Sequence, residues 1–185
     1  TGTATTVNVN NTTARIQQGI SLAAAAGATV TVAAGTFAEN VVVNKALTLQ
    51  GAGVTTTVAP PAAGHGIEVT ANGATVRNLR VTGATGAGSA GLHASGLTGL
   101  TLEDIRSDAN AGHGFSLANS TGVATLSGLF ATANGGGGLH ATNLNAAGTL
   151  TITGGTFSSN TGGRGIHIPS HTGAGSISNV TTNSK

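Results

Sequence analysis

A chain of 185 residues with only seven Lys and Arg, five Asp and Glu and a formal net charge of +2 has no basic stripe or interleaved aromatics for gripping nucleic acid. Zero Cys excludes a disulfide scaffold and a thiolate metal site, and no run of about 18 apolar residues exists to span a bilayer. With 31 Gly, 6% charge and much Thr, Val and Ala, the composition is the reverse of a disordered chain's and fits a tightly stacked β architecture.

In chain order, residues 1–11 come first. Thr5-Thr6-Val7-Asn8-Val9-Asn10 alternate and are rich in polar β-formers, so they read as an N-terminal strand or arm. Residues 12–27 read as an amphipathic helix: Asn11, Thr12 and Thr13 offer N-caps, Ile16, Ile20 and Ala24 recur at helical spacing, and Gly27 stands where a C′ residue would. Such a helix covers the open end of a solenoid.

Residues 28–185 carry the repeat. One strand has the form Gly, large apolar, any, apolar, at Gly66-Ile67, Gly91-Leu92, Gly114-Phe115, Gly138-Leu139 and Gly165-Ile166. A second recurs around Val76, Leu102, Leu126, Ile152 and Ile177, and both columns keep a period near 25 residues. Asn110, Asn134, Asn160 and Asn183 form a third column. Asn tolerates the left-handed conformation of a tight corner and can hydrogen-bond along a ladder. The pattern predicts an all-β fold: a right-handed parallel β-helix of about seven coils with the capping helix at its N-terminal end.

Between helix and coils stand Ala34-Gly35-Thr36-Phe37, Glu39-Asn40, Asn44-Lys45, Leu47-Thr48-Leu49 and Gly51-Ala52-Gly53. This stretch resembles the opening of pectin-lyase-like β-helix proteins, with their "AGTF-EN" turn followed by "NK-LTL-GAG". The resemblance implies the fold. For a lyase it would imply acids holding Ca²⁺ and a base, and for an esterase two carboxylates paired with an Arg.

The acids number five: Glu39, Glu68, Glu103, Asp104 and Asp108. Glu103, Asp104, Arg106 and Asp108 lie on one coil and are the candidate catalytic or Ca²⁺ group. Their structural reading has Glu103 paired with Arg77, Arg106 stacked over Arg80 with Asp108 relieving the repulsion, and Asp104 at a bend with Asn78 and Asn179. His140 and His167, outward in adjacent coils of a column shared with Glu68, His93 and Ser116, are the candidate metal ligands. His65, His113 and Arg164 form another column. No Trp or Tyr is present as a sugar platform, and of the four Phe only Phe130 falls in an outward column. No cofactor is implied. The Gly135–Gly138 run lacks a Lys-Ser/Thr tail and is a corner rather than a phosphate loop.

The last coil, ending at Ser184-Lys185, offers no cap, and an open edge invites further β structure. The partner expected there is a second copy docking head-to-tail through the residue 5–10 strand, or further coils of the same polypeptide, with a surface glycan as another ligand. Thr1 suggests removal of a leader or precursor. The expected function is a non-catalytic extracellular structural protein, prokaryotic, either a filament subunit or a segment of a surface adhesin. A carbohydrate-active enzyme of lyase or esterase type using the Glu103–Asp108 coil is the alternative. An ice- or glycan-binding module is the third reading, although the Thr residues keep no Thr-x-Thr row.

Overall fold

Runs in which every second residue is apolar make strands with one buried face. The computed structural model describes residues 2–144 and 148–183. At its start are β1 (Thr6–Val9), α1 (Ile16–Leu22), β2 (Ala26–Val32), β3 (Gly35–Phe37), β4 (Val41–Val43), β5 (Ala46–Gln50) and β6 (Thr56–Val58). The regular coils follow as β7 (Ile67–Val69), β8 (Thr75–Thr82), β9 (Leu92–Ser95), β10 (Leu100–Asp108), β11 (Phe115–Ala118) and β12 (Val123–Thr132). Then come β13 (Leu139–Thr142), β14 (Thr149–Ser158), β15 (Ile166–His167), β16 (Ala174–Ser178) and β17 (Thr181–Asn183).

All these strands pair in parallel with the coils above and below, in an eleven-stranded and a six-stranded sheet. The architecture is a right-handed parallel β-solenoid of about seven turns. Val76, Leu102, Leu126 and Ile152 are in register and buried, as are Ile67, Leu92, Phe115 and Leu139 on the other sheet. Each such side chain contributes roughly 1.5–3 kcal/mol by leaving water. The outward face of the long sheet carries one hydroxyl column, Thr6, Thr29, Thr48, Thr75, Thr101, Thr125, Thr151 and Ser176. The outward column two residues on is mixed, with Arg77 and Glu103 in it.

The Gly of the first strand motif is required by close approach. A Cβ on Gly91 would lie 3.0 Å from the carbonyl oxygen of Gly114 and one on Gly114 2.8 Å from that of Gly138, while the φ angles of both are ordinary. Each coil rests on the backbone of the next at this column, and no side chain fits between.

The corners differ from expectation. Left-handed backbone falls on Ala109, Ala133 and Ser159, the residues before the Asn column, with φ of 54°, 55° and 55°. Asn110, Asn134 and Asn160 instead turn inward and are buried. The Asn110 backbone N–H and Nδ2 both donate to Asn134 Oδ1 at 3.1 and 2.9 Å, and Asn134 repeats this to Asn160 Oδ1 at the same distances. Asn183 does not join the column. It pairs with Ser158, two residues before Asn160, and is exposed.

The N-terminal elements also need correction. The helix covers Ile16–Leu22 rather than residues 12–27. Asn11 Oδ1 takes the N–H groups of Thr13 and Ala14 in a local turn before it, and Gly27 lies within β2. Its start is capped from outside: Glu39 Oε1 and Oε2 accept from the N–H of Ile16 and Gln17 at 2.7 and 3.1 Å. Its end is closed by Lys45 Nζ, which donates to the carbonyls of Ile20, Ser21 and Ala23. The strand expected to dock on a neighbour, β1, is already paired with β2 of its own chain, Thr6 to Thr29 through Val9 to Val32. Ser184 and Lys185, part of the expected open coil, lie outside the described residues.

Candidate functional site

Strands β8 and β10 bend where Asn78 and Asp104 adopt φ of 54° and 49°. The bend turns their second halves onto a new face, where Arg80, Arg106 and Phe130 stand in register on successive coils. Phe130 is 50% exposed, unusual for an aromatic in a chain with four of them.

Two residues on from Arg106, the buried carboxylate of Asp108 binds both guanidiniums. Oδ1 accepts from Arg80 Nε at 2.8 Å and from Arg106 Nε at 3.2 Å, and Oδ2 from Arg80 Nη2 at 2.6 Å. Burial pushes the Asp108 carboxyl up, but the hydrogen bonds and charges of Arg80 and then Arg106 outweigh it and hold the group below the usual carboxylate range. The Arg80 guanidinium is raised in turn, chiefly by its hydrogen bond to Asp108. Arg80 is fully oriented by the bidentate contact, whereas Arg106 spends only its Nε on Asp108. Arg80, Arg106 and the exposed Val54 line a surface cleft of about 310 Å³.

The four residues singled out in the sequence therefore separate. Asp108 and Arg106 meet, joined by Arg80. Glu103 lies before the bend, 3.8 Å from Arg77 Nη1, while Arg77 gives its shorter hydrogen bonds to Gln50 Oε1 at 3.0 and 2.7 Å. Asp104 is the exposed residue of the bend itself, and its side chain lies over Gly128 of the next coil. Sequence reading missed Phe130 as a companion of the arginines, although the coil period places it in their column.

The histidines form two separate groups. His65 and His93 stack with ring centroids 4.3 Å apart. His113, His140 and His167 lie on three successive coils with Arg164. His140 and His167, the candidate metal ligands, are engaged with neighbours. Each has a ring nitrogen already in a hydrogen bond, to His113 and to Arg164, and among the described residues no three His, Asp or Glu side chains converge on one point.

The fold and this face together define a parallel β-solenoid that carries two arginines and an exposed phenylalanine in one row across successive coils. The chain belongs to the family described as right-handed beta helix region, matched over residues 2–183. Among solved structures it is similar to a pectin methylesterase in complex with a hexasaccharide, at 10% identity and a TM-score of 0.53, covering 93% of this chain and 68% of that one. It is likewise similar to a point mutant of a pectin methylesterase in complex with another hexasaccharide, at 12% identity and a TM-score of 0.50, with the same coverage. No curated protein sequence matches it. Among the described residues no helix is long and apolar enough to cross a membrane.

These findings correct the expectation of a non-catalytic filament subunit or adhesin segment. The similar solved structures are carbohydrate-processing proteins on this fold, and the strand meant for head-to-tail docking is used internally.

Proposed function

We propose that this chain acts on an acidic polysaccharide laid along the solenoid axis over Arg80, Arg106 and Phe130. The observation that carries the reading is the buried, ionised Asp108 between two guanidiniums beside an exposed aromatic ring. Coils are spaced by about 4.8 Å, close to the length of one sugar unit, so successive rows meet successive units. The terminal N–H groups of Arg106 suit a uronate carboxylate, and the Phe130 ring suits the C–H face of a sugar. The similar pectin methylesterases lend support to a sugar-polymer substrate and to ester hydrolysis as the reaction.

In such a reaction a carboxylate oxygen bonds to the ester carbonyl carbon with a guanidinium on the oxyanion. The bond to the methoxy oxygen breaks and methanol leaves with a proton from water, and water then hydrolyses the mixed anhydride to free both carboxylates. Asp108 is kept in the ionised form this role needs, and Arg106 is the cation with N–H groups to spare. A polymer of this kind places the protein outside the cell. The test is methanol release from methyl-esterified polygalacturonate, together with co-sedimentation on the free-acid polymer. Wild type should release methanol and Asp108→Asn should not. Arg106→Ala and Phe130→Ala should each weaken binding by about 1–2 kcal/mol. A wild-type chain that neither binds the polymer nor releases methanol would refute the reading.

A further inference from the structure

The three-histidine cleft lies on the other sheet and takes no part in the function proposed above. Its side chains come from three coils: His113 before β11, His140 on β13, and His167 on β15 with Arg164 at the corner before it. With Gly136, Gly137 and Gly162 they line a cleft of about 340 Å³.

The hydrogen bonds settle what this cleft offers to a ligand. A neutral imidazole has one lone pair and one N–H. The Gly137 backbone N–H donates to His113 Nδ1 at 2.8 Å, which takes that lone pair and leaves the His113 proton on Nε2. That proton is donated to His140 Nδ1 at 2.9 Å, which takes the second lone pair. Arg164 Nη1 donates to His167 Nε2 at 2.5 Å, which takes the third. Every lone pair is occupied from within the protein. The cluster has no acceptor left for a metal, and what remains are donors: His140 Nε2–H, His167 Nδ1–H and the rest of the Arg164 guanidinium.

We infer that this cleft is an anion site that takes a carboxylate or sulfate group on Arg164, His167 and His140, more tightly as the pH falls. No carboxylate side chain lines it. In the outward column Ser116 and His93 separate His140 from Glu68, so the acid of that column is three coils away. Arg164 is the fixed cation. Burial, and then the charges of Arg164 and His140, hold His167 below the ordinary imidazole range, and burial and His140 do the same to His113. The added proton can only fill His167 Nε2, which releases the Arg164 N–H. An anion held by the freed guanidinium offsets the repulsion between the two cations, so its binding and protonation of His167 support each other.

The His65–His93 pair is a built-in control. It repeats the first link, the Ala90 N–H donating to His65 Nδ1 at 3.0 Å, but His93 is in register with Glu68 and the pair has no arginine. The experiment is a titration of the whole chain with inorganic sulfate at pH 5.5 and 7.5, followed by NMR of backbone amides and histidine side chains. One linked proton gives an affinity rising by up to roughly tenfold per pH unit below the ordinary imidazole value. Shifts are expected at Gly136, Gly162, His140 and His167 and not at His65 or His93. His167→Gln should flatten the pH dependence, and Arg164→Gln should abolish binding. Sulfate that leaves the cleft unshifted in the wild-type chain, binds equally at both pH values or shifts both histidine groups alike would overturn the inference. A sulfated oligosaccharide binding more tightly than sulfate supports the site with a polymer-borne anion, and equal binding supports it with a free one.

Discussion

Glu39 Oε1 accepts a hydrogen bond from the backbone N–H of Ile16 at 2.7 Å, joining the first turn of the capping helix to a corner 23 residues further on. Helix starts leave N–H groups without intrahelical partners, and here a buried carboxylate from the following coil satisfies two of them. With Lys45 closing the other end, Glu39 and Lys45 of the opening motif act as two clamps on one short helix. Glu39→Ala should destabilise the protein by about 2–3 kcal/mol, since it leaves the buried Ile16 N–H unpaired. Lys45→Met, which keeps much of the stem, should cost less. Urea unfolding of the two variants measures the order, and a loss from Lys45→Met larger than that from Glu39→Ala would contradict it.

Gly114→Ala tests the close-approach column. The new Cβ would sit 2.8 Å from both the Gly138 carbonyl oxygen and Ala131 Cβ, with backbone on one side that cannot swing away. Overpacking of this kind costs about 1–3 kcal/mol. Gly163→Ala makes a useful contrast, since a Cβ there meets nothing within 4 Å and the cost comes from its φ of 74° alone. A melting temperature lowered more by Gly114→Ala than by Gly163→Ala is the expected result.

Asn134→Ala should be the most damaging change in the ladder. Asn134 Oδ1 receives two hydrogen bonds from Asn110, while Nδ2 donates to Asn160 Oδ1 and to the Ser107 carbonyl at 2.9 and 3.0 Å. Its removal leaves several buried polar groups unpaired, for a loss of about 3 kcal/mol. Asn183→Ala, exposed and outside the column, should change stability by less than about 0.5 kcal/mol. Chemical denaturation distinguishes them.

Asp108 makes stability depend on acidity in one direction. Its folded carboxyl is held below its unfolded value by Arg80 and Arg106 against the opposing effect of burial. The unfolded chain therefore binds the proton more readily, and stability rises with pH through the window. The contribution is complete above the unfolded value of about 3.9 and is lost as pH falls through the folded one. Because both arginines are partly exposed, solvent screening reduces the size of this contribution. Asp108→Asn should remove that segment of the pH–stability curve and leave Arg80 and Arg106 repelling each other. An unchanged acid limb in the variant would show that another carboxylate governs it.

The sequence by itself determined the solenoid, because a strand that stacks on its own repeat places like residues over like. The buried columns through Leu102 and Leu92, the close-packed glycines and the neighbouring places of Arg80 and Arg106 all follow from a period near 25. Where a residue stands off the period, the reading slips too, as at Asn183. Tertiary structure alone decided the interactions that depend on side-chain direction and reach. It chose Arg80 as the bidentate partner of Asp108, sent Glu103 to the other side of a bend, and gave the left-handed backbone to Ala109 while its neighbour Asn110 turned inward. It also clamped a helix with Glu39 and occupied every lone pair of three imidazoles. A column in the sequence fixes which residues are neighbours, but their donors and acceptors pair in directions that exist only once the coils are closed.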